Sequence, residues 1–263
     1  MTNHYYRVII LTLKSEFQYR LNVLIRIIVS LIPLLSIVYM WFALYAYKLE
    51  YSGYSFKEMI TYTVIAKLLF EIVSPTVNWE IYSQITSGEI TKYFIRPLSF
   101  LKYWFARNIG LKVVSLIVSS ILILTIIIFK TYFLLPSTLY FILFIASCLL
   151  SLILFFIVYY IISLLAFWFT DVWAFFFLAG NVISFASGAI IPLNMMPHDV
   201  YICLNLMPFS KLIYFPLNIF LQKLSLADIY TNFMIQVMWI VVFIIVAQMV
   251  YRFGTKKFDA PGG

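Results

Sequence analysis

The 263-residue chain is 64% hydrophobic and only 11% charged, with a net charge of +8 and a mean hydropathy of +1.02. A soluble domain carries roughly 25% charged residues, so this composition excludes a water-facing globule. Its apolar runs are continuous and of helix-spanning length, which excludes the alternating strands of an outer-membrane barrel and points to bilayer-spanning helices. In such a chain a basic excess reflects the positive-inside bias and attraction to membrane lipids, and nucleic acid is not an expected partner. Two cysteines, Cys148 mid-span and Cys203 in a loop, sit at different depths and predict no disulfide.

At the start of the chain, Ile9, Leu13, Phe17 and Leu21 recur every four residues, with Arg7, Lys14 and Gln18 elsewhere around the helix. This predicts an amphipathic helix over 1–20 lying in the inner interface. The first apolar run, 21–47, lacks a small-residue cleavage site and is expected to remain as a span. Further spans are predicted over 58–78, 111–129, 138–169, 172–191 and 230–251. The fourth is longer than the ~20 residues a bilayer needs, and Thr170 and Asp171 then turn tightly into the fifth, with Asp171 as a cap. The expectation is a single all-α polytopic domain over 1–263 with six transmembrane helices.

Lysine and arginine set the orientation. Twelve lie on one side: Arg7, Lys14, Arg20 and Arg26, then Lys92, Arg96, Lys102, Arg107 and Lys112, then Arg252, Lys256 and Lys257. Five lie on the other: Lys48, Lys57, Lys130, Lys211 and Lys223. The bias places both termini, the 87–110 segment and the 252–263 tail in the cytoplasm.

Span two is the most polar. Thr63, Lys67, Glu71, Ser74 and Asn78 follow steps of four, four, three and four, one stripe on a continuous helix. Charges inside a span are costly and should face protein or a water-filled path. Lys67 and Glu71 stand at pairing distance in sequence. Two readings stay open: a structural pair that orients the span, or the lining of a substrate route.

The next segment, "SGEITKYFIRPLSFLKYWFARNIG" at 87–110, interrupts the apolar runs. Ser87 is read as an N-cap, Glu89 as an acid at the positive helix end, and Pro97 as the stop at Arg96. Ile90 and Phe94 fall on one face, with Glu89, Lys92 and Arg96 on another. A second short helix over 100–109 is expected to lie along the interface before turning into span three. The residues alone suit either an ordinary interfacial loop or a docking site for a partner.

Between spans five and six, Pro192, Pro197, Pro208 and Pro216 forbid one continuous helix, while the apolar content argues against a free loop. Short re-entrant or interfacial helices are expected over 192–228, with His198 and Asp199 as solvated loop residues and no metal site. No catalytic set is visible: His4 and His198 lie on opposite sides of the membrane, and there is no H-E-x-x-H or phosphate-loop motif. In span five, Gly180, Ser187 and Gly188 are read as permitting close helix packing.

Three segments in order carry a resemblance. "GEITKYFIRP" with "LKYWFARNIG" resembles the cytoplasmic region between spans two and three of ABC-2-type ABC transporter permeases. "SGAIIPLNMMPHDVYICLNLMPFSKLIYFPLNIFL" resembles their Gly…Pro-Leu…Pro…Leu-Pro-Phe…Pro segment, and "YRFGTKKFDAPGG" their closing glycine signature. The resemblance implies a type V exporter-like fold with Gly88, Glu89, Ile90, Lys92, Tyr93, Phe94, Arg96 and Pro97 in a coupling helix that fits a cleft on an ATPase. It implies an outer re-entrant segment marked by Gly188, Pro192, Pro197, Pro208, Phe209 and Pro216. It also implies a permease in the cytoplasmic membrane of a prokaryote, with no catalytic site or cofactor of its own. ATP and Mg would be bound by a partner ABC ATPase subunit, present in two copies. A second permease chain, identical or paralogous, completes the complex. The cargo expected is hydrophobic or amphipathic: a drug, an antimicrobial peptide or a lipid-like molecule. Export rather than import rests on the resemblance. The alternatives are an ion-coupled secondary carrier using Lys67 and Glu71, and a membrane enzyme acting on lipids, for which no catalytic cluster is seen.

Overall fold

The computed structural model describes residues 2–16, 20–95, 99–128 and 133–257. Phe17, Gln18, Arg96, Pro97, Lys130 and the tail over 258–263 lie outside the described residues, so the expected Arg-Pro stop is outside them too.

The chain is almost wholly helical, because long apolar runs can satisfy their backbone groups only within themselves. Helix α1 (Thr2–Glu16) lies against α6 (Phe100–Ile128), burying Thr12 and exposing Arg7 and Lys14, as its two-faced pattern requires. Helix α2 (Arg20–Tyr45) continues through Pro33 and packs on α3 (Phe56–Val73). Between them is a hairpin absent from the sequence expectations: β1 (Glu50–Tyr51) pairs antiparallel with β2 (Tyr54–Ser55). Its turn residues Ser52 and Gly53 have φ of 48° and 79°, the positive pair that a tight two-residue hairpin turn uses. Ser55 then caps α3 in a reciprocal box with Glu58.

The predicted second span is not one regular helix. Helix α3 ends at Val73, Ser74 is extended (φ −65°, ψ 130°), and α4 (Asn78–Thr86) begins after Val77. Pro75 is the cause. It disfavours helical geometry at Ser74 and has no N–H to give the carbonyl of Glu71. Two residues of α6, one turn apart, repair the break. The Lys112 ammonium donates to the carbonyls of Glu71 (3.2 Å) and Ser74, and the Asn108 side-chain oxygen accepts from the N–H of Thr76 (3.2 Å). Lys112 is 4% exposed, so it is an internal donor to backbone rather than an interfacial charge.

Helix α6 corrects a second expectation. The interfacial helix predicted over 100–109 and the span predicted from 111 form one unbroken helix of 29 residues. Helix α7 (Thr138–Leu164) is the central element and packs on α3, α4, α10 (Tyr214–Phe220) and α11 (Leu226–Lys257), with Leu154 and Phe155 fully buried. It ends in a tight turn at Leu165–Phe167. Helix α8 (Trp173–Ala186) has Val172 as its N-cap position, and the Asp171 carboxylate just before it accepts from the N–H of Trp173 (2.8 Å).

The proline-rich segment folds as helical pieces. Pro192 precedes the turn Leu193–Met195, Pro197 precedes α9 (His198–Leu206), Pro208 precedes the turn Phe209–Lys211, and Pro216 sits in the first turn of α10. Each proline stands where a missing N–H costs least. Lys211 is fully buried, its ammonium donating to Asn205 and Asn232. Its carbonyl accepts from Ser151 of α7 and Gln236 of α11.

Among the described residues, three stretches are long and apolar enough to cross a bilayer: Phe56–Thr86, Thr138–Phe167 and Leu226–Lys257. The pair His198–Leu206 and Phe209–Phe220, bent by 75°, makes a fourth if it is one span. Helix α8, at 14 residues, is shorter than the ~20 that a perpendicular crossing needs. The chain is therefore an all-α, multi-pass membrane protein.

Two stability predictions follow from these contacts. Gly188 has φ +76°, its carbonyl accepts from the Tyr62 hydroxyl (2.6 Å), and an added Cβ would meet that hydroxyl at 2.9 Å. Gly188→Ala is expected to cost about 2–4 kcal/mol, read as a lower melting temperature in detergent. Lys112→Met leaves carbonyls of the α3 end without a donor and is expected to cost about 2 kcal/mol in the same assay. A melting temperature unchanged by Lys112→Met would remove its role in holding the break.

Candidate functional site

Two places gather the residues singled out from sequence. The first is the segment after α4. Ser87 is not an N-cap; it is the C-cap of α4, and its N–H returns to the carbonyl of Ser83 (2.9 Å). Gly88 follows with φ +79°, a left-handed residue that ends the helix, and the N–H of Ile90 bonds back to Gln84 (2.9 Å). The chain then forms a single short helix, α5 (Thr91–Ile95), rather than one running from Gly88.

Burial divides this segment differently from the expected faces. Ile90 is 0% exposed and belongs to the hydrophobic core, and Tyr93 packs edge-on against Phe100 and Tyr103 of α6. Phe94 is 49% exposed. Ile90 and Phe94 therefore do not share one accessible apolar face: Ile90 anchors the segment and Phe94 projects from it. Glu89 accepts from Lys92 (2.8 Å) and Gln84 (2.6 Å). Those partners, Lys92 first, hold its carboxyl below the usual carboxylate range. The projecting surface thus combines an aromatic ring with a solvated ion pair. Nearby, the Arg107 guanidinium pairs with Glu80 at 2.6 Å and ties α4 to α6.

The second place is the polar stripe. The break at Pro75 places Ser74 and Asn78 beyond the helix that carries Thr63, Lys67 and Glu71, so no continuous helical stripe exists. Thr63 and Lys67 line a cavity of about 260 Å³ bounded by Pro33, Leu34 and Ile37 of α2 and by Ser184 of α8. Ser74 and Asn78 line another, of about 360 Å³, closed by Trp79, Tyr159 and the α8 aromatics Trp173, Phe176 and Phe177. Phe70 borders both. Thr63, Lys67, Ser74 and Asn78 still share a neighbour, because α8 faces both cavities, whereas Glu71 lines neither.

Lys67 and Glu71 are each half-buried, and they form no ion pair with one another. The ion pairs among the described residues are Lys92–Glu89, Arg107–Glu80 and Lys223–Glu58. The Thr63 hydroxyl donates to its own helix at Met59 (2.9 Å). Lys67 therefore lines a cavity rather than pairing with a neighbouring carboxylate.

Asn108 and Lys112 were missed as positioning residues. Their i, i+4 spacing beside a proline-broken span was the available signal. Outside both sites, Lys223 pairs with Glu58 (2.8 Å), donates to the carbonyl of Gly53 (2.7 Å) and covers the Tyr54 ring (4.0 Å).

Comparison of the chain with curated proteins and with solved structures finds no match. A family model described as ABC-2 family transporter protein matches residues 19–262, spanning α2 to α11 and both candidate sites. The chain belongs to the ABC-2 family transporter proteins and is a membrane permease of an ABC transporter.

Proposed function

We propose that this permease serves an ATP-driven exporter in the cytoplasmic membrane of a prokaryote. It works with a second permease and with two copies of a separate ATPase subunit that binds ATP and Mg. The observation that carries the reading is the shape of the segment after α4. Ile90 and Tyr93 fix it to the core while Phe94 and the Glu89–Lys92 pair project from it. A rigidly held, two-faced projection suits docking into a cleft and passing a displacement on to α4 and α6. This deepens the family assignment, which by itself supports only a permease.

In this reading the six passes are α2, α3 with α4, α6, α7, α8 and α11, with both termini and α5 in the cytoplasm. Helices α9 and α10 lie at the outer side. The faces of α2 and α8 that expose Leu35, Tyr39, Phe42, Phe177 and Phe185 would meet the second permease. The cavities beside Lys67 and Asn78 then open onto the path between the two chains. Their mixture of aromatic walls and a few polar groups suits a hydrophobic or amphipathic cargo.

Two experiments test this. Phe94→Asp puts a charge on the projecting ring position and is expected to reduce co-purification of the ATPase encoded nearby by about tenfold. The permease should remain monodisperse, whereas Ile90→Asp should unfold the segment. Undiminished capture by Phe94→Asp would remove the docking role. Second, Cys203 on α9 is exposed. In a Cys148→Ser background it is expected to react with a membrane-impermeant maleimide in intact cells, and a cysteine replacing Lys92 only after the cells are opened. The reverse pattern would invert the topology.

A further inference from the structure

A cavity of about 530 Å³ lies between α6, α7 and α11, away from the elements around Lys67. Phe105, Ile153, Phe156, Ile157 and Ile244 form its apolar walls. Its polar groups gather where α6 begins: Ser99, Lys102, Tyr160, Tyr251 and, three residues before Tyr251 on α11, Gln248. Tyr251 stacks on Phe100 with ring centres 5.7 Å apart, so this end of α11 meets the first turn of α6.

Three observations point to an anionic amphiphile. Tyr160 is 2% exposed and lines the cavity, and among the described residues its hydroxyl makes no hydrogen bond, so a polar group entering the cavity can bond it. On the three helices that line the cavity, charge at this end is of one sign, the neighbouring carboxylates Glu80 and Glu89 being paired with Arg107 and Lys92. Lys102 is exposed at the rim, and Arg252, Lys256 and Lys257 follow Tyr251 along α11. The only carboxylate among the described residues of α6, α7 and α11 is Asp228, in the first turn of α11 at its opposite end. Finally, the walls beyond this polar rim are hydrocarbon and aromatic, a lining for an acyl chain rather than for a free ion.

We propose that this groove binds one anionic phospholipid from the leaflet next to the α6 start. Its phosphodiester would be held by Lys102, Tyr251 and Tyr160, with one acyl chain between α6, α7 and α11. A neutral phosphatidylcholine brings its own cation and gains less from Lys102. The site is separate from the export path and does not depend on how the cargo moves.

The test is native mass spectrometry of the full-length permease in detergent. It is titrated with dioleoylphosphatidylglycerol, with dioleoylphosphatidylcholine of the same chains, and with glycerol 3-phosphate. Wild type is expected to retain one phosphatidylglycerol at a concentration about fivefold below that for phosphatidylcholine, the advantage of one interfacial cation. Lys102→Gln, an exposed position whose loss leaves packing intact, should abolish that preference, and Tyr160→Phe should weaken retention of phosphatidylglycerol. Equal retention of the two lipids by wild type would overturn the proposal. So would a preference that survives Lys102→Gln, or glycerol 3-phosphate binding as tightly as the lipid, which would make the site one for free phosphate.

Discussion

A carbonyl inside a bilayer has no water to turn to, and the break at Pro75 creates one. The structure answers it with Lys112, whose ammonium reaches the end of α3, and with Asn108, which takes the N–H of Thr76. These bonds require α6 to lie against the break with its first two turns in register. That register in turn seats Tyr93 against Phe100 and Tyr103, and brings Arg107 to Glu80. The placement of the projecting segment around α5 thus descends from one missing backbone N–H.

The same logic organises the segment between α8 and α11. Four prolines cut the segment between α8 and α11 into helical pieces, and each piece needs an anchor other than its own length. Lys211 supplies one by burying its ammonium among asparagines while its carbonyl accepts from Ser151 and Gln236. Gly188 supplies another by letting the chain turn beneath Tyr62. Several of the buried polar groups, Asn108, Lys112, Ser151, Lys211 and Gln236 among them, hold irregular backbone in place.

Helical character, the two-faced α1, the interrupting segment after α4 and the proline-cut pieces before α11 are all legible from composition, periodicity and punctuation. What was not legible depended on partners distant in sequence. Lys112 reads as one more inner-side charge until Glu71 and Ser74 are seen beside it. Ser87 suits an N-cap by residue type, but Gly88, free to adopt φ +79°, makes it the end of the preceding helix instead. Ile90 and Phe94 share a helical spacing, yet one faces the core and the other solvent, because the helix starts later than the pattern suggests. The Lys67–Glu71 spacing allows a pair, yet none forms, and Lys67 lines the cavity between α2 and α8. Spacing states which residues are able to meet; packing decides which do.

Lys223 binds Glu58 at the first turn of α3, while Lys112 binds the last. A helix gripped at both ends cannot take up a push by fraying or by sliding along its own axis. Under the proposed coupling, a load arriving from the α4 side would pass through α3 as through a strut, and the compliance of the molecule would lie in its neighbours. Helix α8, short and edged by cavities on its α3 side, is the element with room to give.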